Sequence, residues 1–423
     1  MINQSEYVQR RKKLVELIQG QRQAPGVVVI SAQPEMGSQR FIQDATFEYF
    51  SGIQEPAGVL TIDCQTGHTM LWVPNTQGRR AQWVAHTHEA DMANARLAGV
   101  DEITYLGQAI PGYQLAPLSA MAVYQHLCVY LKAVLDRGQS IFACRTSGDT
   151  HFLNQHWFID RLSHWVSGLA ENICDISALV CRMRRVKSRS EIECMYKAVE
   201  LTVAAQIAAA ELVRPGCYER EIQAAIEYVF TSNGAQSAFV PLVAGGRNAS
   251  IIHYDVGAHQ LQNGELVIID CGARVSGYCA DLSRTYPVGK KFTPKQHDIY
   301  QLVYDAQAYI AECIRPGMWL NNAQYPEQSL HHMAMQFFAK HGCEKYFVHG
   351  IGHYLGLEVH DVGSLSEPLQ DGDVITIEPG LYRTDEGMGV RLEDDYWVIK
   401  DGAHCLSLDM QKAPEEIQAL MQR

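Results

Sequence analysis

The chain has 423 residues, of which 47% are hydrophobic and 19% are charged, as is typical of a globular protein with a large buried core. Its 35 basic and 47 acidic residues give a formal net charge of -12. This charge argues against a general nucleic-acid-binding protein, because binding to phosphates requires an excess of positive charge. The length favours two domains.

The 12 cysteines are scattered and contain no C-x-x-C pair, which argues against a zinc ribbon, an iron–sulfur site or a thioredoxin-like redox site. We expect reduced thiols that pack as small hydrophobic side chains. The N-terminus has basic residues but no apolar run after them, and the other apolar runs are too short to cross a bilayer. The sequence therefore predicts a soluble, cytoplasmic protein without a membrane partner.

The N-terminal part of the chain alternates short strand patterns with helical patterns, as in an α/β domain. The predicted helices are Ser5–Gln19, Arg79–Ala90 and Leu118–Leu135. The predicted strands are Gly26–Ser31, Gly58–Asp63, Thr69–Val73 and Ser140–Cys144. We expect a smaller α/β domain over residues 1–175.

Residues 176–423 have helices and strands that are more segregated, which is typical of an α+β domain. The predicted helices are Glu191–Val213, Glu219–Phe230, Lys295–Ile314, Gln328–His341 and Pro414–Met421. Residues 265–286 predict two antiparallel strands joined by a turn, and Val374–Glu378 and Val390–Val398 predict two further strands.

Four acidic residues of this second domain lie within or at the end of apolar strand patterns, namely Asp270, Asp281, Glu378 and Glu393. A buried carboxylate is costly unless it is neutralised, hydrogen-bonded or bound to a metal ion. One such acid is usually structural or solvated. Four in one domain, together with the glycine-rich histidine segment HGIGHYLGLEVHD at residues 349–361, indicate a metal site.

The ligand types narrow the choice of metal. Carboxylates with an imidazole form an oxygen-rich set that favours Mn(II), Fe(II), Co(II) or Mg(II) over a thiolate-type zinc site. Bridging carboxylates would suit two metal ions about 3.5–4 Å apart. The segment HGIGH differs from the zincin motif H-E-x-x-H, since Gly350 stands at the glutamate position. Its glycines predict a loop or strand.

Five segments resemble the metallopeptidase family with the pita-bread fold, which includes methionine aminopeptidase, aminopeptidase P and prolidase. They are LVAGGRNASIIHY, DCGARVSGYCADLSRTYPVG, HGIGHYLGLEVHDVG, ITIEPGLY and GVRLEDD. Upstream, RFIQDATFEYFSGIQEPAGVL resembles the N-terminal domain of aminopeptidase P and prolidase. The resemblance implies an α+β pita-bread catalytic domain over residues 176–423, preceded by the α/β domain.

The resemblance also implies a set of metal ligands. Two divalent metal ions, most often manganese, with cobalt, iron or zinc as alternatives, would be bound by Asp270, Asp281, His353, Glu378 and Glu393. Asp281 and Glu393 would bridge the two ions. Asp270 would complete one site, and His353 and Glu378 would complete the other.

The same resemblance implies roles for further residues. Glu378, His360 and His253 would be catalytic, with Glu378 relaying a proton and the two histidines stabilising the tetrahedral intermediate. His349 and Arg391 would lie on the substrate side, with Arg391 beside the bridging glutamate. The implied reaction is release of the residue before proline, by attack of a metal-bridging hydroxide on Xaa-Pro-Yaa.

Three alternatives stay open at this point. Prolidase acts only on Xaa-Pro dipeptides, some pita-bread proteins bind peptides without catalysis, and creatinase uses the fold without metal. The segments QRRKKL and KAPEEIQALM favour aminopeptidase P, whereas only 14 residues separate Glu378 from Glu393, fewer than either peptidase class often has. The expected partners are small peptides with proline at the second position and other copies of the chain, as a dimer or tetramer.

Overall fold

The structure, a computed structural model, describes residues 2–21, 25–35, 40–76, 88, 90–109, 120–145 and 151–422. The chain forms two compact units, residues 2–184 and 185–423. This division comes later than the predicted boundary at residues 175 and 176. The intervening helix belongs to the first unit, because Tyr49 Oη donates a hydrogen bond to the carbonyl of Met183 at 2.8 Å and Arg184 Nη1 donates to Thr46 Oγ1 at 3.3 Å.

The first unit contains a six-stranded mixed sheet. Its strands are β1 (Gly26–Ser31), β2 (Val59–Asp63), β3 (Thr69–Val73), β4 (Glu102–Tyr105), β5 (Ser140–Ala143) and β6 (Ile173–Asp175), in the spatial order β4-β3-β2-β1-β5-β6. Its helices are α1 (Gln4–Gly20), α2 (Ala45–Ser51), α3 (Met92–Ala98), α4 (Gln125–Asp136), α5 (Leu153–Trp165) and α6 (Ser177–Arg185).

Two predicted helices of this unit lie partly outside the described residues. Most of the predicted helix Arg79–Ala90 lies outside the described residues. Residues 118 and 119 of the predicted helix Leu118–Leu135 also lie outside the described residues, and within the described part a 3-10 turn at Met121–Tyr124 precedes the α-helix that begins at Gln125. The four strands predicted here match β1, β2, β3 and β5 to within a residue at each end.

The second unit contains α7 (Arg189–Leu212), α8 (Glu219–Ser232), α9 (Pro294–Cys313), α10 (Leu330–Lys340) and α11 (Pro414–Met421). Its strands are β7 (Gln236–Ser237), β8 (Leu242–Gly245), β9 (Leu266–Cys271), β10 (Ala273–Val275), β11 (Tyr278–Cys279), β12 (Leu282–Pro287), β13 (Val374–Ile377), β14 (Gly380–Arg383), β15 (Met388–Arg391), β16 (Asp394–Ile399) and β17 (Gly402–Cys405). They form the ladders β12-β9-β8, β11-β10-β7, β13-β16-β17 and β14-β15.

The hairpin predicted over residues 265–286 is more elaborate than two strands and a turn. β9 pairs with β12, while β10 and β11 between them form the tip and join a different ladder through β7. The chain changes ladder at Gly272, where an added Cβ would lie 1.8 Å from the carbonyl oxygen of Ala280. Only glycine permits this close approach of the two backbones.

Buried glutamines attach the helices to the strands that carry the acidic residues. Gln206 of α7 donates to the carbonyls of Ile269 and Leu282 at 3.0 and 2.9 Å, and accepts from Tyr286 Oη at 3.1 Å. Gln307 of α9 donates to the carbonyl of Ile377 at 3.2 Å. These bonds satisfy polar groups inside an apolar core and fix the strand ends relative to the helices.

One large apolar cluster packs these helices against the strands of the second unit. In the part of the chain that is described, no helix combines the length and apolar character required to cross a bilayer.

Helix α8 offers a test of this packing. Phe230 is fully buried in the apolar cluster, whereas Tyr228, two residues earlier, is 73% exposed. We predict that Phe230→Ala lowers the free energy of unfolding by about 3–5 kcal/mol, because it removes apolar contacts and leaves a cavity. The matched variant Tyr228→Ala should change it by less than about 0.5 kcal/mol. Urea unfolding of both variants measures the difference, and similar values for the two would contradict the packing described.

Candidate active site

All nine residues singled out from the sequence line one cavity of about 660 Å³ in the second unit. They are Asp270, Asp281, His353, Glu378, Glu393, His253, His349, His360 and Arg391. They come from parts of the sequence up to 140 residues apart (253 to 393). The fold therefore brings the predicted site residues together.

Asp270 and Asp281 come from the hairpin of β9 and β12. Asp270 is opposite Ser283 in the antiparallel register, and Asp281 immediately precedes the first paired residue of β12, Leu282. Both carboxylates are buried, with residue exposures of 7% and 5%. The hairpin therefore directs two acids towards one side, as facing strands allow.

Glu378 and Glu393 both lie at strand ends. Glu378 follows the last residue of β13. The sequence predicted one strand over Val390–Val398, but the structure divides it into β15 and β16 and leaves Glu393 between them, outside either ladder. Its backbone N–H donates instead to the carbonyl of Ser283 at 3.1 Å, which joins this junction to β12.

His353 lies in an irregular segment, as the glycines of HGIGH predict. The segment runs against β13: the Thr376 N–H donates to the carbonyl of His353 at 2.9 Å, and the His353 N–H donates to Thr376 Oγ1 at 3.1 Å. The approach requires Gly352, since an added Cβ would lie 1.9 Å from the carbonyl oxygen of Thr376.

The distances within the cluster suit a cation between the side chains. His353 Nε2 lies 3.5 Å from Asp281 Oδ2, 3.8 Å from Glu378 Oε1 and 3.9 Å from Glu393 Oε1. These separations are too long for hydrogen bonds but fit ligands that each bind one metal ion at about 2.0–2.2 Å. Ligand atoms of Asp281, His353 and Glu393 all lie within 4.8 Å of one another.

The orientation of His353 also fits a metal ligand. Its Nδ1 lies 3.1 Å from the carbonyl oxygen of Tyr354, which requires Nδ1 to carry the proton and donate it. The Nε2 atom then faces the carboxylates, where it can bind a cation that lies between them. In metal-binding histidines generally, a hydrogen bond from the ring N–H that does not contact the metal orients the imidazole.

Unpaired oxygens and raised pKa values of the carboxylates also fit a cation at this position. Asp270 Oδ1 and Asp281 Oδ1 are buried without a hydrogen-bond partner. Burial, and then the charge of Asp270, raise the pKa of Asp281 well above its usual value. Burial, and then the charge of Asp281, do the same to the pKa of Glu393. Divalent metal ions would satisfy the free oxygens and neutralise the repulsion, so the residues present fit a metal centre.

Arg391 connects the cluster to its surroundings. Its Nη2 lies 2.6 Å from Asp270 Oδ2, its Nε donates to Ser283 Oγ at 2.8 Å, and its Nη1 donates to Tyr382 Oη at 2.9 Å. Ser283 Oγ in turn donates to Glu393 Oε2 at 2.9 Å. The sequence patterns did not single out Ser283 or Tyr382, although these residues lie within the segments DCGARVSGYCADLSRTYPVG and ITIEPGLY.

His349 is held in its neutral form. Burial, and then the positive charge of Arg391, lower the pKa of His349 to about 4. Its Nδ1 lies 2.8 Å from the carbonyl oxygen of Gly350, so Nε2 accepts the hydrogen bond from Tyr382 Oη at 3.0 Å. The ring of His360 packs edge-to-face on that of His353, with centroids 4.3 Å apart.

Comparisons with known proteins identify the family to which the chain is similar. Residues 193–400 match metallopeptidase family M24, and residues 7–112 match the aminopeptidase P N-terminal domain. The Xaa-Pro aminopeptidase of Escherichia coli (strain K12) is 30% identical over 99% of this chain and 98% of its own length. The Xaa-Pro dipeptidase of Pyrococcus furiosus is 35% identical, over 55% of this chain and 66% of its own length.

A solved structure extends the likeness to the whole fold. Zinc-substituted E. coli aminopeptidase P in complex with product superposes with a TM-score of 0.82 at 27% identity, over 100% of this chain and 98% of that chain. The chain belongs to metallopeptidase family M24, in the group that contains aminopeptidase P and prolidase. It is a hydrolase with a pita-bread domain preceded by an aminopeptidase P N-terminal domain.

The close approach at Gly352 predicts the effect of a single methyl group. We expect Gly352→Ala to push the histidine segment away from β13, to lower the free energy of unfolding by about 1–3 kcal/mol, and to weaken metal binding about 10- to 100-fold. Gly350→Ala is the matched control, because an added Cβ there meets nothing closer than 3.8 Å. Thermal unfolding and manganese titration measure both effects. Equal behaviour of the two variants would contradict the stated role of Gly352.

Proposed function

We propose that this chain is a Xaa-Pro aminopeptidase, which releases the N-terminal residue from peptides that carry proline at the second position. The observation that carries the proposal is the buried cluster of carboxylates around His353, in one cavity with the remaining predicted site residues. The full-length likeness to Xaa-Pro aminopeptidases supports the same activity.

As a metallopeptidase, the chain binds divalent metal ions; we propose two per chain, with manganese as the native metal. Asp270, Asp281, His353, Glu378 and Glu393 would hold them, with Asp281 and Glu393 shared between the two. Bound there, the metal ions would activate water and polarise the scissile carbonyl. Free oxygens on Asp270 and Asp281 support this ligand set.

The side chains around the cluster have separate tasks in this proposal. Glu378 moves a proton from the attacking water towards the leaving nitrogen, because burial raises the pKa of its carboxyl group and makes it a better base. His253 and His360, both exposed in the cavity, stabilise the tetrahedral intermediate by donating hydrogen bonds.

His349 and Arg391 orient the substrate side of the site. Neutral His349 donates through Nδ1 and accepts from Tyr382 through Nε2, so it presents a fixed ring to the cavity. Arg391 holds Asp270 in position through the ion pair at 2.6 Å. Proline has no N–H before cleavage, so recognition of its ring must come from the shape of the cavity rather than from a hydrogen bond.

Two further properties belong to the same proposal. We propose a cytoplasmic location, which the 12 free cysteines support, because free thiols are typical of reducing compartments. We also propose a homodimer or homotetramer, on the family resemblance alone.

The substrate range distinguishes aminopeptidase P from prolidase. With manganese present, we expect hydrolysis of Xaa-Pro-Yaa and of longer peptides, with release of free Xaa. Chromatography of the products of Ala-Pro, Ala-Pro-Ala and Ala-Pro-Ala-Ala measures this directly. Ala-Ala-Ala is the control peptide and should be a poor substrate. Activity confined to Ala-Pro would identify a dipeptidase instead.

The raised carboxyl pKa values predict how metal binding depends on pH. In the metal-free protein, Asp281 and Glu393 bind protons more tightly in the folded than in the unfolded state. Folding stability therefore falls as pH rises from the ordinary carboxyl range through the raised pKa values. Bound metal ions remove this loss of stability at higher pH, because they neutralise the ionised carboxylates. At low pH, protons compete with the metal ions for the same carboxylates.

The increase in melting temperature that manganese causes should thus be larger at pH 8 than at pH 5.5. A metal concentration 100 times Kd would add about 2.7 kcal/mol of stability at the higher pH. Asp281→Asn should lose most of this increase, whereas Asp401→Asn, at an exposed turn residue, should retain it. An equal increase at both pH values would contradict the assignment of these carboxylates, and enzymatic activity should likewise fall in mild acid.

A further inference from the structure

A second arginine, Arg274, lines the same cavity as the candidate metal ligands. It lies in β10, the central strand of its ladder, where it is opposite Cys279 on one side and Gln236 on the other. The backbone at this position is therefore fixed by pairing on both edges. Only three residues separate Arg274 from Asp270 in the sequence.

The guanidinium group of Arg274 is incompletely satisfied. Its Nη1 donates to the carbonyls of Leu357 and Gly277, at 2.8 and 3.3 Å. Its Nε is buried and has no hydrogen-bond partner. Within the described ranges, no carboxylate lies within ion-pair distance of the group.

The other arginine of the cavity provides a contrast. Arg391 is paired with Asp270 at 2.6 Å and uses its remaining nitrogens on Ser283 and Tyr382. Its charge is thus neutralised within the protein. The charge of Arg274 is not neutralised in this way. Burying half of a guanidinium group without a nearby anion has a desolvation cost, and an incoming anion would offset that cost.

We propose that Arg274 binds a carboxylate of the peptide substrate on the C-terminal side of the scissile bond. The planar guanidinium matches a carboxylate with two parallel hydrogen bonds, and such charge-assisted pairs are stronger than neutral ones. A short peptide carries this carboxylate at its own C-terminus; an acidic side chain after proline offers the same chemistry. The proposal rests on the proposed function and adds a preference among its substrates.

Matched peptides with and without the carboxylate test the proposal. Ala-Pro-Ala with a free C-terminus is compared with Ala-Pro-Ala amide, and Ala-Pro-Glu amide with Ala-Pro-Gln amide. For the wild-type protein, kcat/KM should be about 10- to 100-fold higher for at least one carboxylate-bearing peptide than for its neutral partner. The pair that shows the difference identifies the source of the carboxylate.

Substitution of Arg274 should remove that ratio. In Arg274→Met the ratio falls to about one, and in Arg274→Lys, which keeps the charge but loses the planar fork, part of it remains. A purely structural role, through the carbonyls of Leu357 and Gly277, would lower kcat/KM for both peptides of a pair and leave the ratio unchanged. Arg189→Met, at a side chain that is 93% exposed, is the control and should retain the wild-type ratio.

The outcomes separate this proposal from the proposed function. A wild-type protein that cleaves no Xaa-Pro peptide would overturn the proposed function. Cleavage with equal kcat/KM within both pairs, or an unchanged ratio in Arg274→Met, would overturn only the role of Arg274. Calorimetric binding of Pro-Ala and Pro-Ala amide decides the case without catalysis, since tighter binding of the free acid should disappear in Arg274→Met.

Discussion

Repulsion among buried carboxylates is the constraint on which the second unit depends. Asp281 and Glu393 are almost fully buried. After burial itself, the charge of Asp270 adds most to the cost of ionising Asp281, and the charge of Asp281 adds most to the cost of ionising Glu393. Two partial compensations come from the protein: Arg391 pairs with Asp270, and Ser283 donates to Glu393. The carboxylate oxygens that remain free, and the Nε2 atom of His353 that faces the carboxylates, are placed to bind a cation. Divalent metal ions bound at this cluster would therefore be part of the electrostatic balance of the fold.

The fold provides a rigid support for this unfavourable cluster. The four acidic residues proposed as ligands lie at or beside the ends of strands, and helices α7 and α9 contact two of these strands through Gln206 and Gln307. Behind the cluster, the backbone N–H of Asp281 donates to the buried carboxylate of Asp395 at 3.2 Å. Such contacts limit the movement by which the acids could relax apart, so the site keeps its geometry for metal and substrate.

The sequence led to residues that the structure gathers around one cavity, but it predicted their local structure less well. An acid that ends an apolar run, such as Asp270 or Glu378, is recognisable without coordinates because burying it needs a partner. The break in the strand at Glu393 was missed, because Val390 and Leu392 before it and Tyr396–Val398 after the acidic residues read as one continuous strand. Arg274 and Tyr382 carried no signal of their own, because the contacts that define them come from distant segments. The change of ladder at Gly272 depends on the close approach of two backbone segments, which the pattern of residues does not reveal.

The number of metal ions per chain is the most direct test of the account. Anomalous diffraction from crystals grown with manganese should show two peaks, one beside Asp270 and one beside His353 and Glu378, with Asp281 and Glu393 contacting both. Such a result would account for the free carboxylate oxygens in the structure. A manganese-saturated crystal with no peak among these five side chains would contradict the account.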